Sequence, residues 1–440
     1  MLEIDPVLLT ALMFGSMLVL MAVGMPLAWT LLGVGVVFGY VIWGPDSLGI
    51  LMPSLFGLMN EFILVALPLF ILMGMILERS GIADSLFEMV YKLMGSVRGG
   101  LGMGTVLICA LIAAMVGITG AATVSLGLIA LPAMLKRGYD KRLSAGVIMA
   151  GGALGFLIPP SLVMIMYAFL TRESIGKLFA AGVMPGLMLA VIYMIYIAIR
   201  CKIDPRLGPP LEESERVDTW GKIKALRAII LPGGLIVVVL GSMALGYTSP
   251  TEASAVGAAG AMLCALANGR LNFKMLSSAL YSTARIIGML MWIMIGAVVF
   301  SKIYIALGAG QQIVNHIIEG DLSPYVVLTV ILLSYLILGM FLDDSAILFI
   351  TVPLYVPIIK ALGFDPIWFA TIFVLAMQTA YLTPPFGYNL FYMRSVAPPE
   401  VTTGDLYRAV LPFIALQVVG IILVVVFPQI ALWLPNLIFG

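Results

Sequence analysis

GGALGFLIPPS (residues 151 to 161) and YLTPPFGYNL (residues 381 to 390) each set a double proline inside an apolar stretch. The pattern around them is spelled twice in unbroken register, 225 residues apart. Its first copy runs Pro132, Gly138-Tyr139-Asp140, Leu157, Pro159-Pro160 and Tyr167. Its second runs Pro357, Gly363-Phe364-Asp365, Leu382, Pro384-Pro385 and Tyr392. Proline removes a backbone donor and clashes with the preceding turn, so a helix must break at each pair. Broken helices at corresponding places in two halves of a membrane protein point to a transporter.

The solvent implied by the composition is a bilayer. Of the 440 residues 62% are hydrophobic and only 10% are charged, and the mean hydropathy is +1.14, more apolar surface than one soluble core hides. A net charge of +1 supplies no basic surface for nucleic acid. Cys109, Cys201 and Cys264 lie far apart without C-x-x-C spacing and read as packing residues. The first apolar segment follows Glu3 and Asp5 and lacks a cleavage site, so it reads as a spanning helix rather than a signal peptide.

A span needs about 20 apolar residues. Stretches of this kind run from 7 to 24, 26 to 44, 61 to 78, 143 to 170, 176 to 199, 226 to 246, 250 to 268, 283 to 305, 366 to 393 and 408 to 434. Two further runs, 99 to 136 and 323 to 360, are too long for one helix and have small or polar centres, GITGAATVS (117 to 125) and LDDS (342 to 345). They read as re-entrant hairpins, because non-helical backbone at membrane depth survives only in protein or a water-filled cavity. Two short full spans would leave the chain ends on the same side. The polar segments 83 to 95 and 309 to 320 read as interfacial helices.

Lysine and arginine set the orientation. Arg200, Lys202, Arg206, Arg216, Lys222, Lys224 and Arg227 make 200 to 227 cytoplasmic. Arg79, Lys92, Arg98, Lys136, Arg137, Lys141, Arg142, Arg270, Lys274, Arg394 and Arg408 fall on the same side, which puts the acidic N-terminus outside. Five crossings separate the hairpins, so the second repeat is inverted. The expected fold is an all-α polytopic membrane protein with two inverted-topology repeats. Residues 1 to 200 form the first, with its hairpin at 99 to 136 and broken helix at 143 to 170; 201 to 225 is a cytoplasmic linker. Residues 226 to 440 form the second, with its hairpin at 323 to 360 and broken helix at 366 to 393.

An alkali cation is held by several oxygens in a weakly charged cage, and unwound backbone supplies carbonyls for it. The first half offers Gly117, Thr119, Gly151, Gly155, Ile158 and Ser161; the second offers Gly339, Asp343, Asp344, Ala380, Thr383 and Phe386. Glycines of this kind also serve close helix packing, as Gly151 and Gly155 do in a small-x-x-x-small pair. Asp343 and Asp344 interrupt an apolar run, where a carboxylate costs about 2.5–3.5 kcal/mol on insertion scales. A cation, a substrate donor or a hydrated tip would compensate them. Thr119, Ser345, Gln378 and Asn389 are the polar groups near the tips that a substrate can meet. Glu252 in SPTEAS reads as a helix cap. The single histidine, His316, and the serines Ser125, Ser161 and Ser345 form no catalytic arrangement, and no P-loop, G-x-G-x-x-G or H-E-x-x-H is present, so an enzyme is not expected.

With these residues in view, the chain resembles the large membrane subunit, the DctM-like M subunit, of a tripartite ATP-independent periplasmic (TRAP) transporter. The matching stretches are ALPLFILMG (66 to 74), GGALGFLIPPS (151 to 161), SIGKLFAAGVMPG (174 to 186), SPTEA (249 to 253), LGMFLDDSA (338 to 346) and YLTPPFGYNL (381 to 390). The resemblance implies a sodium-driven secondary transporter of the bacterial inner membrane, working by an elevator motion, with sodium as coupling ion and one sodium site per repeat near the positions named. It also implies a small four-helix membrane subunit and a periplasmic binding protein that delivers an organic acid. One departure stands out: where the family shows a serine-glycine-serine run at the first tip, this chain has Val116-Gly117-Ile118-Thr119. A stand-alone ion-coupled carboxylate transporter or antiporter, and a passive channel or structural subunit, are the alternatives.

Overall fold

The computed structural model describes residues 5–117, 119–210, 218–320, 322–385 and 387–440, without the side chains of Thr119, Ala309, Gln311 and His316. The described residues are helical, with no strand among them. The chain opens with α1 (Pro6–Ala22), α2 (Leu27–Trp43), α3 (Leu51–Met59), α4 (Ala66–Arg79) and the amphipathic α5 (Ile82–Met94). A hairpin follows, α6 (Gly100–Val116) and α7 (Thr119–Lys136), then α8 (Lys141–Ala153) and α9 (Leu162–Thr171) on either side of Pro159-Pro160. Beyond α10 (Ile175–Ile203), α11 (Thr219–Ala225), α12 (Arg227–Ala244), α13 (Pro250–Ala267), α14 (Phe273–Ala306) and α15 (Ala309–Glu319), the same succession returns. It consists of the hairpin α16 (Pro324–Gly339) and α17 (Asp344–Ala361), then α18 (Pro366–Ala380) and α19 (Tyr388–Val396) around Pro384-Pro385. α20 (Thr403–Val426) and α21 (Gln429–Phe439) close the chain.

The shared motif has a local reason at each position. Gly138 and Gly363 end the hairpins with φ of 75° and 80°. Two residues later Asp140 and Asp365 cap the broken helices: Asp140 Oδ1 accepts from the Arg142 and Leu143 amides at 3.0 and 2.9 Å, and Asp365 Oδ1 from those of Ile367 and Trp368 at 2.7 and 3.0 Å. Both proline pairs contain a cis peptide bond. Cys109, Cys201 and Cys264 are buried free thiols, and Ser249 with Glu252 forms a reciprocal capping box at the start of α13.

Two groups of helices pack internally. In the first, α2 lies along α14 and α4 along α13. Small residues let the backbones approach: a Cβ on Gly35 would come 3.0 Å from the Phe300 Cα, and one on Gly257 2.6 Å from the Met73 sulfur. α1 joins through Phe14, whose ring meets Phe300 and Tyr304 edge-on at 5.3 and 5.5 Å. The second group holds both hairpins and both broken helices: α8 packs on α7 and α20, α10 on α6 and α21, α16 on α18, and α19 on α7. The groups meet where α4 and α12 touch α6 and where α14 touches α17.

Among the described residues six helices are long and apolar enough to cross a membrane, α10, α12, α14, α17 and α20 among them. Outward apolar side chains such as Ile230, Leu231, Val237 and Val238 on α12 suit a lipid surround, where helices satisfy their own backbone. The structure divides the expected span at 408 to 434, since Pro428 has no amide to continue α20 and Phe427 before it leaves the helical region at φ −120°, ψ 78°. It also shows a short 3-10 turn, Pro45–Ile50, leading into α3 in a stretch with no expected element.

A cavity between the hairpin turns

Each hairpin turn rests on the proline break of its own half. Gly117, at φ 65°, ends α6, and a Cβ there would lie 2.5 Å from the Pro160 carbonyl oxygen. Only glycine serves both the left-handed turn and the close approach. In the second half Gly339 packs face to face on Ala380. The breaks release carbonyls, as proline chemistry requires: among the described residues no backbone amide donates to Ile158, Pro159 or Pro160, nor to Leu382, Thr383 or Pro384.

Between the two turns lies a cavity of about 390 Å³. Gly117 and Gly120 enter from the first hairpin, Asp343, Asp344 and Ser345 from the second, and Phe156, Leu162 and Met166 from the first broken helix. Tyr381, Tyr388 and Tyr392 come from the second broken helix, and Ile286, Met289 and Leu290 of α14 form the wall from the other helix group. The Tyr381 ring meets Phe156 edge-on at 4.8 Å and stacks on Tyr388 at 5.4 Å. Two carboxylates, a hydroxyl and three phenols thus share one chamber, and among the described residues no lysine, arginine or histidine lines it.

The expected site residues divide by location. Gly117, Asp343, Asp344 and Ser345 line the cavity. Asp343 also caps α17, its Oδ1 accepting from the Ala346 amide at 2.9 Å. Gly155, Ile158 and Ser161 form the first break; the Ser161 hydroxyl donates to the Phe156 carbonyl at 2.6 Å. Gly151 lies deeper, pressed on α6, where a Cβ would stand 2.6 Å from the Cys109 sulfur. In the second half Gly339 and Ala380 touch, and the Thr383 hydroxyl donates to the Thr379 carbonyl at 2.8 Å. Phe386 and the Thr119 side chain lie outside the described residues.

Gln378 and Asn389 are fully buried away from the cavity lining. The Gln378 amide nitrogen reaches the Tyr193 hydroxyl at 3.5 Å. Asn389 is a tie: Thr123 Oγ1 donates to its Oδ1 at 2.7 Å, and its Nδ2 donates to the Met149 carbonyl at 2.6 Å, joining α7, α8 and α19. The tyrosines of the lining were the missed residues. Their signal was present in YLTPPFGYNLFY, where aromatic hydroxyls bracket the proline pair. Among the described residues no three His, Cys, Asp or Glu side chains converge on a metal-binding arrangement.

A family model described as "Tripartite ATP-independent periplasmic transporter, DctM component" matches residues 14–430. The chain is 35% identical over 412 residues to a C4-dicarboxylate TRAP transporter large permease protein of Pseudomonas aeruginosa, covering 92% of this chain and 93% of that one. It is 31% identical to an ectoine TRAP transporter large permease protein of Halomonas elongata, over 98% of this chain and all of the relative, and 29% identical to a sialic acid one of Vibrio cholerae, over 96% and 97%. The solved Alcanivorax borkumensis YdaH transporter shares the fold, with a TM-score of 0.66 at 18% identity over 96% of this chain and 98% of that one. With its helices, breaks and cavity now located, the chain belongs to the DctM component family, the large permeases of the tripartite ATP-independent periplasmic transporters.

Proposed function

We propose that this permease imports a small organic acid by sodium-coupled secondary transport, receiving it from a periplasmic binding protein and working beside a small membrane subunit. One observation carries the coupling: the described cavity lining holds Asp343 and Asp344 and no basic side chain. An anion entering alone meets two carboxylates in a medium where like charges repel strongly. Sodium ions held by the released carbonyls of Ile158, Pro160, Leu382 and Thr383, together with the Asp343–Asp344 pair, reverse that sign and make anion binding conditional on cation binding. Gly117, Thr119, Gly151, Gly155, Ile158 and Ser161 frame the first proposed ion site, and Gly339, Asp343, Asp344, Ala380, Thr383 and Phe386 the second. The substrate meets Ser345 and the tyrosines, with Thr119 at the opposite turn.

The group carrying both hairpins moves as an elevator against the α2–α4–α13–α14 group, with the α14 wall of the cavity as the sliding contact. The repeats are inverted, the N-terminus is periplasmic and the membrane is the inner one; the lysine and arginine distribution supports that placement. The test is uptake of labelled succinate, a C4-dicarboxylate probe, into proteoliposomes holding this chain and its small subunit. Uptake is expected only with an inward sodium gradient and a purified binding protein. Uptake indifferent to both would describe a passive pore and overturn the reading.

A further inference from the structure

Far from the hairpin turns, the second helix group carries a pocket of about 270 Å³ at the end where α10 finishes and α8 and α20 begin. Its charged lining is Arg142 of α8, Arg200 of α10, Arg408 of α20 and Asp140, with Tyr196 and Phe413 beneath. Among the described residues, the acids at this pocket are already committed. Asp140 caps α8, and Asp405 accepts from Arg142 Nε at 3.1 Å and pairs with Lys141 Nζ at 2.6 Å. Arg200 and Arg408 have no hydrogen-bond or ion-pair partner among the described residues. Two guanidinium groups without a partner among the described residues thus face one pocket beside a third.

The surface running from this pocket is apolar. Ile195, Ile199 and Ile203 stand four residues apart on α10, 53%, 52% and 73% exposed, next to the Tyr196–Arg200 row, and Leu411 on α20 is 57% exposed. A free phosphate would use only the arginines. A phospholipid would use both features, its headgroup phosphate in the guanidinium forks and its acyl chains on the isoleucine row. Basic pockets between helices at the cytoplasmic boundary are suited to anionic headgroups.

We propose that this pocket binds an anionic phospholipid, with Arg200 and Arg408 holding the phosphate and the Ile195–Ile199–Ile203 row holding an acyl chain. The proposal rests on the cytoplasmic placement of this end of the molecule given above. Every element of the pocket belongs to the hairpin-bearing group, so the lipid would travel with that group.

The test is native mass spectrometry of the purified complex of the full chain and its small subunit, with equal phosphatidylglycerol and phosphatidylcholine, and with inorganic phosphate as competitor. Wild type retains phosphatidylglycerol preferentially. Arg200→Gln and Arg408→Gln each lower its retention about fivefold, the effect of one basic side chain at an anionic surface, while Arg200→Lys keeps part of it. Should an arginine variant not fold, Ile199→Ser serves: it lowers phosphatidylglycerol retention and leaves inorganic phosphate binding unchanged. Equal retention of both lipids, or unchanged retention in the Arg200→Gln/Arg408→Gln double variant, overturns the proposal. Displacement of the lipid by equimolar inorganic phosphate assigns the pocket to free phosphate and overturns it too. Lipid retention is read without transport, so this outcome stands apart from the uptake test.

Discussion

Asn389 shows how a polar residue near a cavity can belong to the scaffold around it rather than to its lining. Both ends of its amide bind protein, one to Thr123 and one to the Met149 carbonyl, at 0% exposure. Asn389→Ala leaves the Thr123 hydroxyl without its acceptor; hydrogen bonds inside membranes average well under their strongest cases, and the expected loss is about 1–2 kcal/mol. Thermal unfolding of the purified complex checks this, with Thr123→Val expected to cost less because the Asn389 Nδ2 bond to the Met149 carbonyl stays in place. Thr383 is placed otherwise, at the break itself with its hydroxyl turned back on Thr379. Thr383→Leu is expected to weaken sodium activation of uptake by at least tenfold while the chain still folds. Unchanged sodium activation would move the second ion site elsewhere.

The proline pairs and the Gly-Tyr-Asp and Gly-Phe-Asp triplets carried most of what was legible at the level of helices. Their repetition announced both breaks, and the over-long apolar runs with small or polar centres announced the hairpins, because each of these residues acts on its own stretch of backbone, as a turn, a cap or a missing amide. Asp365→Ala removes a cap holding two amides and is expected to lower stability by about 1 kcal/mol, with Asp365→Asn restoring most of it, as read from the melting temperature. What the sequence hid was packing. Nothing in the local pattern separates Asn389, which ties three helices, from Ser345, which lines the cavity, because the difference depends on neighbours more than 200 residues away. The division of 408 to 434 was legible in Pro428 and was masked by the apolar run on either side.

The whole molecule is two packed groups with a cavity on their seam, and the proposed elevator motion requires that seam to slide. Ala114 of α6 and Ile236 of α12 face one small cavity across it. Ala114→Cys with Ile236→Cys, in a background with Cys109, Cys201 and Cys264 replaced by alanine, is expected to lose uptake when joined by a short cleavable thiol cross-linker and to regain it on reduction. Full cross-linking with undiminished uptake would show that transport does not need the groups to slide. The Asn389 tie has a further consequence, in biosynthesis. It fastens a side chain to partners 266 and 240 residues earlier in the chain. A ribosome adding about 5–20 residues per second needs on the order of 10–50 s to cover that distance. Throughout that interval the Thr123 hydroxyl lacks the acceptor that Asn389 gives it in the finished fold, so the first half has to hold α7 and α8 together by their own packing until α19 is made.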